Sequence, residues 1–243
     1  MNPASKAGWP QGFVFYDEAD LIARKQVVET FSYSMRSTLQ DVNRAVRFVQ
    51  VETPCLTPRE ALRGHVDTGF ELVRTHDSRH GGEGMILRPE TTFGTYAAMR
   101  TMYPMEPQMK KALPLVLWQY GKSFRDEQAR PMAELRFREF YQLEFQLFYS
   151  PDSGADYASA CNKAVASALY HLTHDAGSIL SIRPVPAAEL AHYSEATFDH
   201  YLVDTEVAAI SLRKDFGPSA KVVEVSVGLD RVAWFARQRM TTH

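Results

Sequence analysis

Cysteine is nearly absent. Cys55 and Cys161 are too few for a disulfide framework, and their isolation excludes a zinc site built from cysteines alone. No excess of one charge is present either: 27 Lys+Arg stand against 29 Asp+Glu, a net charge of −2, so no global basic field draws in nucleic acid, although a local basic patch stays open. No apolar run approaches the roughly 20 residues that span a bilayer. Met1 to Pro10 lacks the basic-then-apolar order of a secretory signal. With 13 glycines and 13 prolines in 243 residues, the chain is neither fibrous nor of low complexity. What remains is a globular balance, 45% hydrophobic and 23% charged, which implies a soluble protein of a reducing compartment, expected to be cytoplasmic.

Periodicity organises the rest. Residues 1–11 read as a loose arm. From Glu18 to Val42, Val28, Phe31, Met35, Leu39 and Val42 recur at three- and four-residue steps and predict a long helix. Val46 to Glu52 reads as a strand stopped by Pro54. Thr57 to Gly84 is polar and glycine-containing, a region of loops and short strands. A second apolar helical pattern lies between Pro89 and Met102, and Leu115 to Tyr120 is a short buried strand bounded by Pro114 and Gly121.

Arg136 to Tyr149 carries the clearest signal. Leu143, Phe145 and Leu147 alternate with Gln142, Glu144 and Gln146, and the same parity puts Arg136, Arg138 and Phe140 beside Glu144. One face is apolar and meets the core. The other sets guanidiniums, a ring, amides and a carboxylate in a row; an aromatic inside a charged row is unexpected on a merely solvated face. Asp156 to Ala176 reads as an alanine-rich helix bearing Cys161, and Pro184 and Pro186 mark a loop. Tyr201 to Leu212 and Val222 to Val227 read as strands, and Leu229 to Met240 as a closing helix after Gly228. With no regular βαβ alternation, the expected fold is α+β: a mostly antiparallel sheet flanked by helices, in one domain over residues 1–243.

Several motifs fail. Gly121-Lys122-Ser123 looks like the end of a phosphate-binding loop, but Val116 stands where that motif needs glycine. His76 with His80, and His171 with His174, have no third ligand in an evident frame. No Gly-x-Ser-x-Gly elbow supports a serine hydrolase.

One constellation survives, and it is spread along the chain. Gln119-Tyr-Gly-Lys-Ser-Phe-Arg-Asp-Glu127, a loop, then Arg136-Phe-Arg-Glu-Phe-Tyr-Gln-Leu-Glu144 resembles the second signature of class II aminoacyl-tRNA synthetases: Arg-x-Glu on one strand, Arg-x-x-x-Phe on the next. Leu87-Arg-Pro-Glu-Thr-Thr-Phe-Gly94 is similar to the Leu-Arg-Pro-Glu-Thr-Ala-Gln-Gly of the glycyl enzymes. Val222-Val-Glu-Val-Ser-Val-Gly-Leu-Asp-Arg231 resembles their third signature. Gly64-His-Val-Asp67 and Ala191-His-Tyr193 have counterparts as well. The helix from Glu18 and the strand ending at Pro54 fit the first signature, which in the family forms a dimer interface. The resemblance covers nearly the whole chain, in order.

The resemblance implies ATP and Mg2+ as cofactors and assigns roles residue by residue. Arg125 matches the arginine at the α-phosphate and the substrate carboxylate, and Arg231 the other catalytic guanidinium. Glu127 matches the acceptor for the adenine amino group, and Phe140 the ring on which adenine stacks. Arg136 and Arg231 match arginines at the β- and γ-phosphates, and Glu206 and Glu224 the acidic residues near magnesium. The amino-acid pocket is expected to involve Glu90, Gln142, Glu144, Glu224 and Ser226, and Arg213 falls where the glycyl enzymes also carry arginine.

Four residues depart from the glycyl pattern: Phe93 for glutamine, Val225 for proline, Ala209 for glycine and Asp126 for asparagine. Phe93 is expected to reshape the pocket. Family members carry a C-terminal anticodon-binding domain, on the order of a hundred residues, and none is expected after Arg231 here. Two function classes follow. In the first, the chain is an adenylate-forming ligase that activates glycine or another small amino acid and passes it to tRNA, to a carrier protein or to a small molecule, as a homodimer and without a membrane. In the second, it is a catalytically inactive relative serving as a regulatory or accessory subunit; retention of the phosphate-binding arginines favours the first.

Overall fold

In the computed structural model, which describes residues 1–3, 12–62, 72–75, 85–126, 135–173 and 179–240, the first long element is a 25-residue helix, α1 (Glu18–Val42). Asp17 caps it through a reciprocal box: its carboxylate accepts from the Asp20 amide at 3.0 Å, and the Asp20 carboxylate accepts from the Asp17 amide at 3.1 Å. The fully buried stripe runs Ala23, Val27, Phe31, Met35, Leu39. The expected stripe was therefore set slightly off: Val28 is only partly buried and Val42 is 46% exposed.

Short strands β1 (Asn2–Pro3) and β2 (Val14–Phe15) pair ahead of α1, so residues 2 and 3 are not a loose arm. β3 (Arg47–Gln50) follows α1, then β4 (Leu56–Pro58) pairs with β5 (Met85–Leu87). Helices α2 (Thr92–Met102) and α3 (Glu106–Ala112) lead into the hairpin β6 (Leu115–Phe124) and β7 (Glu139–Tyr149). Helix α4 (Tyr157–Thr173), strands β8 (Leu180–Pro184), β9 (Ser194–Leu202), β10 (Thr205–Arg213) and β11 (Lys221–Gly228), and helix α5 (Leu229–Met240) complete the chain.

Seven strands form the main sheet in the order β3-β6-β7-β11-β10-β9-β8, antiparallel throughout except for β3 beside β6. This is the α+β architecture expected. Strand parity divides the two faces. Leu143, Phe145 and Leu147 of β7 and Val223, Val225 and Val227 of β11 meet α1, α4 and α5 in the larger core. On the opposite face Leu115, Leu117, Phe148 and Val222 pack under α2 and α3. The remaining positions of that face, Gln142, Glu144 and Gln146 on β7 and Glu224, Ser226 and Gly228 on β11, carry the site.

Several boundaries differ from expectation. β6 does not stop at Gly121 but continues to Phe124, so Gly121-Lys122-Ser123 is strand and not a phosphate-binding loop. A Cβ on Gly121 would lie 2.4 Å from the buried Arg88 guanidinium, so this glycine marks a close approach and not a strand end. Tyr201 to Leu212 is two strands joined at Val203, whose φ of 57° makes a tight turn without glycine. β8 occupies the edge of the sheet, where its terminal Pro184 leaves no ladder bond unmade. Among the described residues, no helix is long and apolar enough to cross a membrane.

Candidate active site

Because β7, β11, β10 and β9 are neighbours, their register lays side chains in rows across one face. Gln146, Glu224, Ser211 and Thr197 form one row; Glu144, Ser226, Ala209 and Asp199 form the next. Gln142 opposite Gly228 begins a third. A cavity of about 460 Å³ opens over these rows. Ten of the expected site residues line it: Glu90, Gln142, Glu144, Glu224 and Ser226, and with them Arg125, Arg136, Phe140, Glu206 and Arg231. Glu127, Gly64-His-Val-Asp67, His76, His80 and His174 lie outside the described residues.

The first five make an acidic end. Glu90, in the turn before α2, is 5% exposed; Glu144 is 1% exposed and Glu224 6%. Thr91 and Thr92, which open α2, donate hydroxyl bonds to Glu144 at 2.5 Å and to Glu224 at 2.6 Å. The Gln146 amide donates to both carboxylates, at 3.2 and 3.3 Å. Behind them lies Arg213, with a wholly buried side chain. Its Nη1 donates to both Glu224 oxygens (3.0 and 3.1 Å) and stands 3.9 Å from Glu90, while Nε and Nη2 form a fork on Asp215 (3.0 and 2.6 Å). The Tyr193 ring covers this guanidinium at 3.9 Å.

Burial drives the electrostatics here. It pushes Glu90 up to about 8, opposed by Arg213 and reinforced by the charges of Glu224 and Glu144. Glu144 is raised as well, by burial first and Glu224 second. Burial works against the charge of Arg213, but Glu224, Asp215 and Glu90 more than offset it and hold it ionised. The acidic end therefore favours a small cation, whose arrival makes ionising the carboxylates easier.

The other end is cationic and aromatic. Arg125 leaves β6 with its amide on the Arg138 carbonyl (2.9 Å), its Nε on the Pro89 carbonyl (3.3 Å) and its guanidinium 5.3 Å from the Phe140 ring centre. Its charge is close enough to favour the ionised form of Glu90, so Arg125 stands between the two ends. Arg231, in the first turn of α5, donates to the carbonyls of Glu206 (2.8 Å) and Leu135 (3.3 Å). Its neighbour Asp230 accepts from Tyr16 Oη and the Tyr141 amide, both at 2.8 Å, and from Arg24 at 3.2 Å. That carboxylate ties the start of α5 to β7 beside Phe140. Arg138 departs from the expected row: it pairs with Asp126 at 2.7 Å, ahead of the first residue of β7.

Glu206 and Glu224 are not brought together. Glu224 sits opposite Ser211, five residues along β10 from Glu206, which is about 16 Å at ordinary strand rise. The carboxylate that register brings near Glu206 is Asp199. Glu206 pairs with Tyr201, two residues beyond Asp199, so the two carboxylates are diagonal neighbours on one face. Burial first, and the Glu206 charge second, push Asp199 up to about 6. This pair suits Mg2+, a hard ion that takes one or two carboxylates and fills its remaining positions with water and phosphate oxygens. Among the described residues, no group of three or more His, Cys, Asp or Glu side chains is placed to hold a metal ion.

Phe93 does not shape the cavity. It packs with Leu62 and Ile86 in a small separate cluster. Val225 is fully buried in the main core, and Ala209 lines the cavity between Ser226 and Asp199. Gln146 was already placed in the polar row by parity, and Tyr193 stands in the Ala191-His-Tyr193 block, but neither was assigned to the site; Thr91, Thr92, Asp199 and Asp215 were not singled out. Thr91 and Thr92 lie in the quoted Leu87–Gly94 block, whereas Asp199 lies in a strand with no readable pattern.

A seven-stranded, mostly antiparallel sheet with helices on both faces and one cavity joining an arginine-rich end to a carboxylate-rich end is the catalytic-core architecture of class II aminoacyl-tRNA synthetases. The chain belongs to that family: the model of the tRNA synthetase class II core domain (G, H, P, S and T) matches residues 73–220. Among curated relatives, the glycine–tRNA ligase of Mesoplasma florum is 34% identical over 113 residues, covering 46% of this chain and 24% of the relative. That of Bacillus cereus is 32% identical over 115 residues, covering 47% and 24%. Among solved structures, Giardia lamblia prolyl-tRNA synthetase in complex with prolyl-adenylate superposes with a TM-score of 0.72 at 15% identity, covering 93% of this chain and 47% of that one. Prolyl-tRNA synthetase of Cryptosporidium parvum, complexed with halofuginone and AMPPNP, gives 0.63 at 14% identity, covering 86% and 45%. The matches thus span about a quarter of the curated relatives and under half of the solved chains.

Proposed function

We propose that the chain activates glycine, or another small amino acid, with ATP to the aminoacyl-adenylate and passes the acyl group to an acceptor, either tRNA or a non-tRNA carrier. One observation supports this above the others: the acidic end and the arginine end share a cavity, with Arg125 between them. An ammonium held at Glu90, Glu144 and Glu224 directs the substrate carboxylate toward Arg125. There one carboxylate oxygen attacks the α-phosphorus; the new P–O bond forms as the α–β anhydride bond breaks, and pyrophosphate carries away the electron pair. Arg125 holds carboxylate and α-phosphate together in a planar fork and offsets the charge that builds there. Phe140 offers a face for adenine, and Glu127 is assigned its amino group. Arg136 and Arg231 meet the outer phosphates, with the N-terminus of α5 adding its dipole. Mg2+ bound at Asp199 and Glu206 would neutralise phosphate oxygens.

Amino-acid-dependent exchange of labelled pyrophosphate into ATP, over a panel of amino acids, tests activation without assuming an acceptor. Exchange with glycine or alanine supports the ligase; silence across the panel, with ATP still bound, moves the reading to an accessory binding subunit. The same assay has a pH signature. Glu90 is neutral below about 8 in the folded chain, and an ammonium needs it ionised. The amino-acid KM is therefore expected to fall as pH rises from 6 to 8, by up to about tenfold per unit, then level off. Stability moves the opposite way, because the folded chain holds the Glu90 proton from its ordinary 4.5 up to about 8 and loses that advantage as pH rises through this window.

The homodimer is part of the proposal. Ile22 is 50% and Tyr33 76% exposed, three turns apart on one stripe of α1, the element the resemblance places at a dimer interface. Sedimentation at micromolar concentration is expected to give a dimer, and a lone monomer species would remove this part of the reading.

A further inference from the structure

The row Gln146, Glu224, Ser211 and Thr197 ends in a run of hydroxyls that the proposed function leaves unused, and one assignment of their protons satisfies all of their contacts. A hydroxyl carries one proton. Ser194 Oγ donates at 2.8 Å to the Ala196 carbonyl and faces the Leu212 carbonyl at 3.4 Å, both of which can only accept. Its 2.9 Å contact with Thr197 Oγ1 must then be made with the Thr197 proton. Thr197 has nothing left to give, so its 3.1 Å contact with Ser211 Oγ takes the Ser211 proton. Ser211, 8% exposed and lining the cavity, is left with lone pairs alone to present there. Register sets it directly opposite Glu224.

The neighbouring groups follow the same rule. Ser226 Oγ points its proton at Glu144, at 3.5 Å. Arg213, the cation of this end, turns its guanidinium to Glu224 and Asp215. This end therefore offers an ammonium several acceptors: the carboxylate oxygens of Glu144 and Glu224, that of Glu90 once ionised, and the hydroxyl oxygens of Ser211 and Ser226.

We infer that Ser211, oriented by the Thr197–Ser194 relay, is a specificity-determining residue that accepts an N–H from the substrate ammonium and makes this end select an unsubstituted primary ammonium. The inference rests on the amino-acid-activation reading and adds the group that counts the substrate's donors. A primary ammonium brings three N–H donors. An N-methylated amino acid brings two and sets a methyl against a buried lone pair, leaving that acceptor unmatched. A site built on buried polar groups discriminates in this way far more strongly than an apolar pocket separates neighbours by size.

The test pairs direct binding with turnover. Glycine and N-methylglycine are titrated calorimetrically into the intact chain, wild type and variants, and pyrophosphate exchange is run on the same preparations. Ser211→Ala is expected to weaken glycine binding and raise its KM by at least about tenfold, the scale of one hydrogen bond to a charged group, with the KM for ATP within about twofold. The preference for glycine over N-methylglycine is expected to fall several-fold, because the acceptor that rejects the methyl is gone. Thr197→Val keeps the shape but frees the Ser211 proton to turn inward, and is expected to weaken glycine in the same direction. A change in packing alone would leave the ratio of the two ligands unmoved. Glycine binding and the ligand ratio both unchanged in Ser211→Ala would overturn the inference, as would a wild-type chain that binds neither ligand. Wild-type binding that responds to Ser211→Ala without any exchange would keep the inference and remove the activation reading instead.

Discussion

Arg125→Ala is expected to reduce amino-acid-dependent pyrophosphate exchange by roughly 10²–10³-fold, the loss seen when one donor to a developing charge is removed, about 2.7–4 kcal/mol. The position of the side chain explains why it should be so sensitive. Its backbone amide bonds to the Arg138 carbonyl and its Nε to the Pro89 carbonyl, so the residue is held at its main chain and at the base of the guanidinium, with Phe140 alongside. Such a guanidinium loses little freedom when substrate arrives, and on the proposed reading it receives the carboxylate of an amino acid whose ammonium is held at Glu90. Arg125→Lys keeps the charge but loses the planar fork and is expected to fall between the alanine variant and wild type. Because Arg125 is only partly buried, its removal should leave thermal unfolding nearly unchanged. An activity loss below about threefold would mean that Arg125 has been given the wrong role.

What the sequence discloses depends on how one-sided each element is. α1 and α5 have an apolar stripe and clear ends (Asp17 before one, Gly228 before the other), and their limits can be read directly. β7 and β11 alternate cleanly because one face is packed in the core while the other is polar, and that parity correctly set Gln142 with Glu144, and Glu224 with Ser226, on the polar sides of their strands; only the pairing of β7 with β11 joins them on one face. α3 escapes because Glu106-Pro107 interrupts the pattern just where the helix begins. β8 and β9 escape because their burial is partial along much of their length, so no alternation develops. The site follows the same division. Arginines and carboxylates in ordered signatures stand out, whereas Ser211 and Thr197 are single hydroxyls in strands and gain meaning only when register lines them up with Glu224. Asp199 becomes visible only when register sets Glu206 near it and Glu224 far away. Phe93 shows the converse error: it lies inside a signature but faces a different cluster.

Removing Arg213 should produce the largest effect on stability. Arg213→Leu is expected to cost about 3–5 kcal/mol in urea unfolding, the usual penalty for leaving a buried charge without its partner. The value should sit toward the upper end of that range, because Glu224 and Asp215 each lose their direct partner and Glu90 loses its nearest cation. The guanidinium also lies between Tyr193, at 3.9 Å, and Tyr96, at 5.7 Å, so cation–π contacts are lost as well. The carboxylates left behind will relieve the strain by taking up protons. The deficit should therefore shrink as pH is lowered from 8 toward 5, the reverse of ordinary acid destabilisation. Exchange activity should vanish, since an acidic end that has taken up protons has no charge left to hold an ammonium. Adding Glu224→Gln to Arg213→Leu should recover part of the stability and none of the activity, and a double-mutant cycle would report the coupling between the two. A deficit under about 1 kcal/mol, or one that does not change with pH, would show that Arg213 is not what allows these carboxylates to be buried together.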